Sequence, residues 1–212
     1  MRKLGVIPLA ALAAALLLVA SGCGGGADRA VEPAAKAASE RACPGTARAG
    51  WRRLANRIHA PVYCPAWMPD PFDGVIGGRW NTIDSVSPDR SYLIGFIWLE
   101  AGSGELHVNL RGYPGRTRIP TCTDVNTVNG VTRRTKIPCF SDPTGHRRVA
   151  GIDATVYTAN QDADRWHVLY AWRHDGSLYT LSQHVAVPLT YRKVVANLDH
   201  MLRSLVLVRP SS

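Results

Sequence analysis

The side chains with the most chemical reach in this sequence are a pair of histidines and a set of aromatic residues interleaved with polar ones. His167 and His184 flank the Asp175-Gly176 dipeptide, and a two-residue type I′ turn at that dipeptide sets them directly across from each other on neighbouring strands. Two facing imidazoles could share a metal ion or act as a pH sensor. With no third histidine or carboxylate assigned beside them, they read as part of an exposed, partly polar sheet face, and no metal is expected there. The second set is Phe96, Trp98, His107, Asn109 and Arg111. A hairpin turning about Gly102-Ser103 puts Trp98 opposite His107, Phe96 opposite Asn109 and Ile94 opposite Arg111. Rings beside polar groups suit a ligand face; the plainer reading is that a helix covers it.

Other chemistry is thin. Asp162-Ala163-Asp164 lacks the glycine and later glutamate of a calcium loop and reads as a solvated turn. Gly-x-Ser-x-Gly, His-Glu-x-x-His, a P-loop and a dinucleotide glycine fingerprint are absent. A Ser-His-Asp set could only assemble in space. No catalytic residue and no cofactor are assigned.

The elements that must hold these residues follow from periodicity. In the first hairpin, Leu99 facing Leu106 and Ile97 facing Val108 make one face a core. In the second, between Arg165 and Val185, the Asp-Gly register pairs His174 with Ser177, Trp172 with Tyr179, Tyr170 with Leu181 and Trp166 with Val185, so that Trp166, Tyr170, Trp172, Tyr179 and Leu181 share one buried face. Ala171 with Thr180, Leu169 with Ser182 and His167 with His184 take the other. Arg148 to Tyr157 reads as a third strand feeding through the Asp162–Asp164 loop, and the proline-rich stretch Tyr63 to Gly78 as an ordered loop. Ala47, Trp51, Leu54, Ala55 and Ile58 recur at helical spacing after Pro44, with Arg48, Arg52, Arg53 and Arg57 on a solvated outer side. Tyr191, Val194, Val195, Leu198, Met201, Leu202 and Leu205 predict a closing helix with Thr190 as N-cap, followed by a short strand over Leu205 to Val208. The fold class is therefore α+β: an antiparallel sheet built from hairpins, with an N-terminal and a C-terminal helix packed on it. The order strand, Asp-Gly turn, strand, amphipathic helix resembles the C-terminal part of some bacterial lipoproteins and of extracellular domains in membrane-bound regulators. That likeness covers only this stretch and contains no catalytic residue.

At the other end, Arg2 and Lys3 precede an uncharged run from Leu4 to Ala20, interrupted only by Pro8, that ends in Val19-Ala20-Ser21-Gly22-Cys23. A positive start, an apolar core and small residues form an export signal, and small residues ending in cysteine resemble the lipobox of bacterial lipoproteins. Where the commonest form carries Leu three residues before the cysteine, this chain has Ala20. The resemblance implies cleavage before Cys23, a diacylglyceryl group on its thiol and a fatty acyl chain such as palmitate. Residues 1–22 are then the signal peptide, 23–41 a Gly- and Ala-rich lipidated tether and 42–209 a single domain on the extracytoplasmic face of the membrane. The alternative is an uncleaved signal anchor.

Setting Cys23 aside leaves Cys43, Cys64, Cys122 and Cys139, an even number where disulfides persist. Four cysteines allow three pairings. The sequence-local one, Cys43–Cys64 with Cys122–Cys139, is expected, each loop of about 15 to 20 residues contributing roughly 3 kcal/mol. No pair has the spacing of a zinc knuckle. The Asn129-Gly130 turn places Cys122 opposite Ile137, two short of Cys139, so the second bridge calls for a bulge or a longer loop.

The chain has 212 residues, 46% hydrophobic and 19% charged, with 25 Lys plus Arg against 16 Asp plus Glu. Such a composition excludes a disordered or collagen-like chain. Arg133, Arg134 and Lys136, with Arg111, Arg116 and Arg118, could contact an acidic envelope polymer, whereas an exported chain has no call for nucleic acid. The functional expectation is a membrane-anchored envelope lipoprotein whose non-catalytic domain binds a ligand or an envelope protein. The alternatives are an envelope hydrolase with a triad assembled in space and a structural or assembly lipoprotein.

Overall fold

The computed structural model describes residues 43–72, 79–100, 104–159 and 166–211. The expected leader, Cys23, the expected tether and the Asp162–Asp164 segment lie outside the described residues. In chain order the elements are α1 (Gly45–Ile58), β1 (Val62–Pro65), β2 (Arg79–Val86), β3 (Tyr92–Glu100), β4 (Gly104–Tyr113), β5 (Thr121–Val128), β6 (Val131–Pro138), β7 (Pro143–Val149), β8 (Ile152–Ala159), β9 (His167–His174), β10 (Ser177–His184), α2 (Tyr191–Ser204) and β11 (Leu205–Val208). Among them no helix is long and apolar enough to cross a membrane.

Asp175 and Gly176 both take positive φ, 46° and 69°, as a type I′ turn requires. From it β9 and β10 pair in the expected register, with Trp172 opposite Tyr179, Tyr170 opposite Leu181 and His167 opposite His184. β10 pairs on its other side with β4, and the antiparallel sheet runs β2-β3-β4-β10-β9-β8-β7. Two small ribbons, β1-β11 and β5-β6, complete the strands. Antiparallel sheets, two helices and two disulfides give the α+β class.

One sheet face carries the main core. Tyr92, Trp98, Leu106, Val108, Leu110, Val156, Val168, Tyr170, Trp172, Tyr179 and Leu181 are buried in it, and α2 covers it with Val194, Leu198, Met201 and Leu202, all fully buried. Thr190 caps α2 by accepting from the Lys193 N–H at 3.2 Å. The Tyr170 hydroxyl donates to Asp199 Oδ1 of α2 at 2.7 Å, and Arg147 Nε pairs with the same carboxylate at 3.2 Å. Tyr63 of β1 meets Trp172 and Tyr179 edge-on, with centroids 5.2 and 4.9 Å away, which suits the ring quadrupoles. Gly112 lies opposite Tyr92, and a Cβ there would run into the tyrosine ring. Only glycine lets the ring lie flat on the strand.

Several expectations are corrected. α1 packs against β1 and β11 rather than on the large sheet, because Cys43, just ahead of the helix, is bonded to Cys64 of β1 with Cα atoms 5.8 Å apart. Tyr63 to Pro65, expected in a loop, belong to β1, which pairs with β11. Arg148 to Tyr157 is not one strand: Ala150 and Gly151, with φ of 50° and 81°, make a tight turn between β7 and β8. Trp166 is not buried with its neighbours. Its φ of 61° ends the strand, and the residue is 62% exposed. The Cys122–Cys139 bridge needs no bulge. β5 and β6 keep the strict register with Cys122 opposite Ile137, and Cys139 reaches Cys122 diagonally just past the strand end, with Cα atoms 4.8 Å apart, within disulfide range.

The second face of the β9-β10 hairpin is buried too, contrary to its reading as solvated. The chain between β4 and β7 returns across it, and Phe140 packs with Leu169, Ala171 and Leu178 while Tyr113, Ile119 and Tyr157 close in around them. Thr180, Ser182 and His167 are also buried.

Two outcomes test this arrangement. Trp172→Ala should cost about 3–5 kcal/mol in urea unfolding, whereas Trp166→Ala should stay within about 0.5 kcal/mol of the parent; equal effects would refute the assigned faces. Burial is also the main reason the phenols of Tyr63, Tyr92, Tyr170 and Tyr179 ionise above their ordinary value of 10.0, with Tyr179 pushed up to about 12. The folded chain holds these protons to higher pH than the unfolded chain does. Their contribution is thus intact below about pH 10 and lost as pH rises above it. Melting temperature against pH should be level across this source up to that point and then fall steeply.

Candidate functional site

The set Phe96, Trp98, His107, Asn109 and Arg111 does not form one face. β3 and β4 pair as Glu100 with Gly104, Trp98 with Leu106, Ile97 with His107 and Phe96 with Val108. Three residues, 101–103, therefore separate the last pair, where a two-residue turn was expected. A one-residue shift in pairing exchanges faces. Phe96 and Trp98 consequently lie on the main-core face, and His107, Asn109 and Arg111 on the reverse. Arg116 of the proposed basic group is ion-paired with Asp89 at 3.1 Å. Arg133, Arg134 and Lys136 line the exposed β5-β6 arm, with Lys136 Nζ donating to Thr123 Oγ1 at 2.6 Å.

Phe96 lines a cleft, with different neighbours. Because α1 is held by β1 and β11, it stands off the outer strands of the large sheet and leaves a cleft of about 560 Å³. α1 contributes Gly50, Trp51 and Leu54, and the two strands contribute Val86, Ile94 and Phe96. Arg53 and Arg57, expected on a merely solvated helix side, stand at this cleft. Their spacing of four puts both on one helix face. Helical periodicity located these residues, but nothing in the sequence pattern says that β2 and β3 lie opposite them.

On the reverse face the structure gathers three histidines. Val108 of β4 pairs with Gln183 of β10, so one step further His107 stands beside His184, which is paired with His167 of β9. Ring centroids are 4.4 Å apart for His107 and His167, 4.8 Å for His107 and His184, and 5.5 Å for His167 and His184. His107 Nε2 and His167 Nε2 are hydrogen-bonded at 2.6 Å. On its other edge each ring meets an oxygen. His167 Nδ1 is 2.9 Å from Ser182 Oγ, His184 Nδ1 is 2.9 Å from the Glu105 carbonyl, and His107 Nδ1 is 3.2 Å from Glu105 Oε1. The third histidine whose absence argued for a plain polar face is thus His107, and the carboxylate is Glu105. Neither was visible as a partner because nothing local indicates that β4 lies beside β10.

The buried Ser182–His167 contact has the residue types of a nucleophile and its base. Ser182 is 1% exposed and His167 fully buried, so a substrate carbonyl cannot approach the hydroxyl in this arrangement. Ser182 orients the imidazole instead. No protein-family model, no curated protein and no solved structure matches the chain.

His167 is therefore a structural anchor as well as a site residue. His167→Ala should cost about 2–4 kcal/mol, by leaving a cavity and depriving Ser182 and His107 of a buried partner. His184→Ala, whose bond to Glu105 is exposed, should cost less than about 1 kcal/mol. Urea unfolding of the two variants distinguishes them, and a harmless His167→Ala would contradict the burial.

Proposed function

We propose that the protein is a lipid-anchored binding module of the extracytoplasmic face of the membrane, and that its ligand is an amphiphilic anion held in the cleft between α1 and β2-β3. The observation that carries the reading is the cleft. Its volume of about 560 Å³ falls in the range of small-molecule sites. Trp51, Leu54, Ile94 and Phe96 offer an apolar bed, and Arg53 and Arg57 offer donors suited to a carboxylate, sulfonate or phosphate head. Two disulfides are compatible with an exported domain. The lipobox-like end of the leader supplies the anchor at Cys23, with the Gly- and Ala-rich stretch as tether.

Anilinonaphthalene sulfonate, an amphiphilic anion that fluoresces in apolar surroundings, serves as probe. One molecule should bind per folded chain. A Cβ at Gly50 meets nothing closer than Arg53 Nη2 at 3.8 Å, so Gly50→Leu should fill the cleft, abolish the signal and leave the melting temperature unchanged or higher. Arg53→Ala with Arg57→Ala should weaken binding about tenfold. Probe binding indifferent to all three changes would place the ligand elsewhere. For the anchor, Cys23→Ala should leave the precursor uncleaved or shift the protein out of the detergent phase; a mature chain with an unmodified Cys23 would refute it.

A further inference from the structure

We propose that His107, His167 and His184 form a binding site for one divalent transition-metal ion of the zinc class, with Glu105 and Ser182 orienting the ligands. Three of the chain's seven histidines occupy neighbouring positions on the adjacent strands β4, β10 and β9. A sheet of fixed register brings their rings together without any loop having to close.

What distinguishes the group from a chance cluster is the outer edge of each ring. Metal-bound histidines as a rule donate their second nitrogen to a carboxylate, a backbone carbonyl or another oxygen, which sets ring orientation and tautomer. All three oxygen types are present here: the Glu105 carboxylate at His107 Nδ1, the Glu105 carbonyl at His184 Nδ1 and the Ser182 hydroxyl at His167 Nδ1. A carbonyl oxygen can only accept, so His184 Nδ1 carries the proton and its Nε2 presents a lone pair. The Glu105 carboxylate, in ion-pair contact rather than an aligned hydrogen bond, favours a proton at His107 Nδ1 electrostatically. Nε2 is then the ligand atom on each ring, and the Nε2 atoms of His107 and His167 already converge at 2.6 Å.

That separation is a hydrogen bond, and as placed no three His, Cys, Asp or Glu side chains among the described residues make a ready ligand set. Zinc held at about 2.0–2.1 Å by tetrahedral ligands needs nitrogens about 3.3 Å apart, so the two rings must part by about 0.7 Å. His167 is clamped and fully buried, whereas the His107 side chain is 16% exposed and its partner Glu105 50% exposed. His107 is the ring that gives way, and the ion enters from its side. The ion takes the place of the proton shared by the two Nε2 atoms. That proton moves to His167 Nδ1, and Ser182 Oγ, able to donate or accept, reverses its bond and accepts it. Three imidazoles favour zinc, copper(II) or nickel(II) over magnesium or calcium, which prefer oxygen ligands.

The experiment uses untagged, chelator-treated full chain titrated with Zn²⁺. One ion per chain should bind, and at hundredfold excess over Kd the melting temperature should rise by about 5–10 °C. Mg²⁺ and Ca²⁺ should produce no shift, and Co²⁺ should give the intense visible bands of a tetrahedral site. His107→Ala and His184→Ala, neither of which removes the buried ring, should weaken binding a hundredfold or more. Glu105→Gln should weaken it by about 10- to 100-fold. No uptake of Zn²⁺, Cu²⁺ or Ni²⁺ at tenfold molar excess overturns the proposal, as does uptake unchanged in both histidine variants. Because the cleft lies on the opposite face of the sheet, failure here leaves the amphiphile reading untouched, and the reverse holds.

Discussion

The register of β10 against its two neighbours is the constraint on which the rest of the structure depends. β10 pairs with β9 through the Asp175-Gly176 turn and with β4 on its other edge, and side chains on a strand alternate between faces. A slip of one residue would turn Tyr179 and Leu181 away from α2 and bring Thr180 and Ser182 into the main core. The aromatic contacts of Tyr63 with Trp172 and Tyr179 and the Tyr179 hydroxyl donating to the Pro61 carbonyl at 2.9 Å reinforce one register from outside the sheet. They do so by tying it to β1, and through Cys64 to the start of α1.

This arrangement gives the two sheet faces separate roles. The main-core face is closed by α2 over the centre and left partly open beneath α1, because α1 is moored to the β1-β11 ribbon. A helix held by a disulfide and a ribbon need not collapse onto β2 and β3, and the gap becomes a cleft with an apolar bed. The reverse face is covered by the returning chain around Phe140, which leaves the histidines grouped where Glu105 and His184 reach the sheet margin. Polar groups there are tolerable because they bond to one another. The Nε2–Nε2 bond, the serine and the Glu105 carbonyl satisfy groups that would otherwise be costly so close to an apolar core.

The proposed anchor and the proposed cleft are continuous in the chain. Residues 24–41 lead into Cys43, whose bond to Cys64 pins the entry to α1, and α1 is the helix that walls the cleft. On the proposed anchoring, this helix is the first described element after Cys23, so a ligand site on it would sit near the membrane in chain length. An amphiphile released from or destined for a bilayer suits such a position.

Local chemistry determined much of this protein by itself. The Asp-Gly turn sets its own strand register because both central residues tolerate positive φ. Thr190 caps α2 because its hydroxyl reaches the backbone N–H three residues on. The pairing of four cysteines followed sequence proximity, which loop entropy favours. What depended on non-local packing was hidden. The length of the β3-β4 connection decided that Phe96 and His107 lie on opposite faces, and no residue in the sequence between the two strands declares it. The exposure of Trp166 came from a left-handed residue at the strand end, and the burial of His167 from chain that returns from elsewhere. Above all, the adjacency of β4 and β10 is a property of strand order, which hydrophobic alternation does not encode. That adjacency, and nothing local, brings His107 to His167 and His184, so a pair of facing histidines became a triad only in the folded sheet.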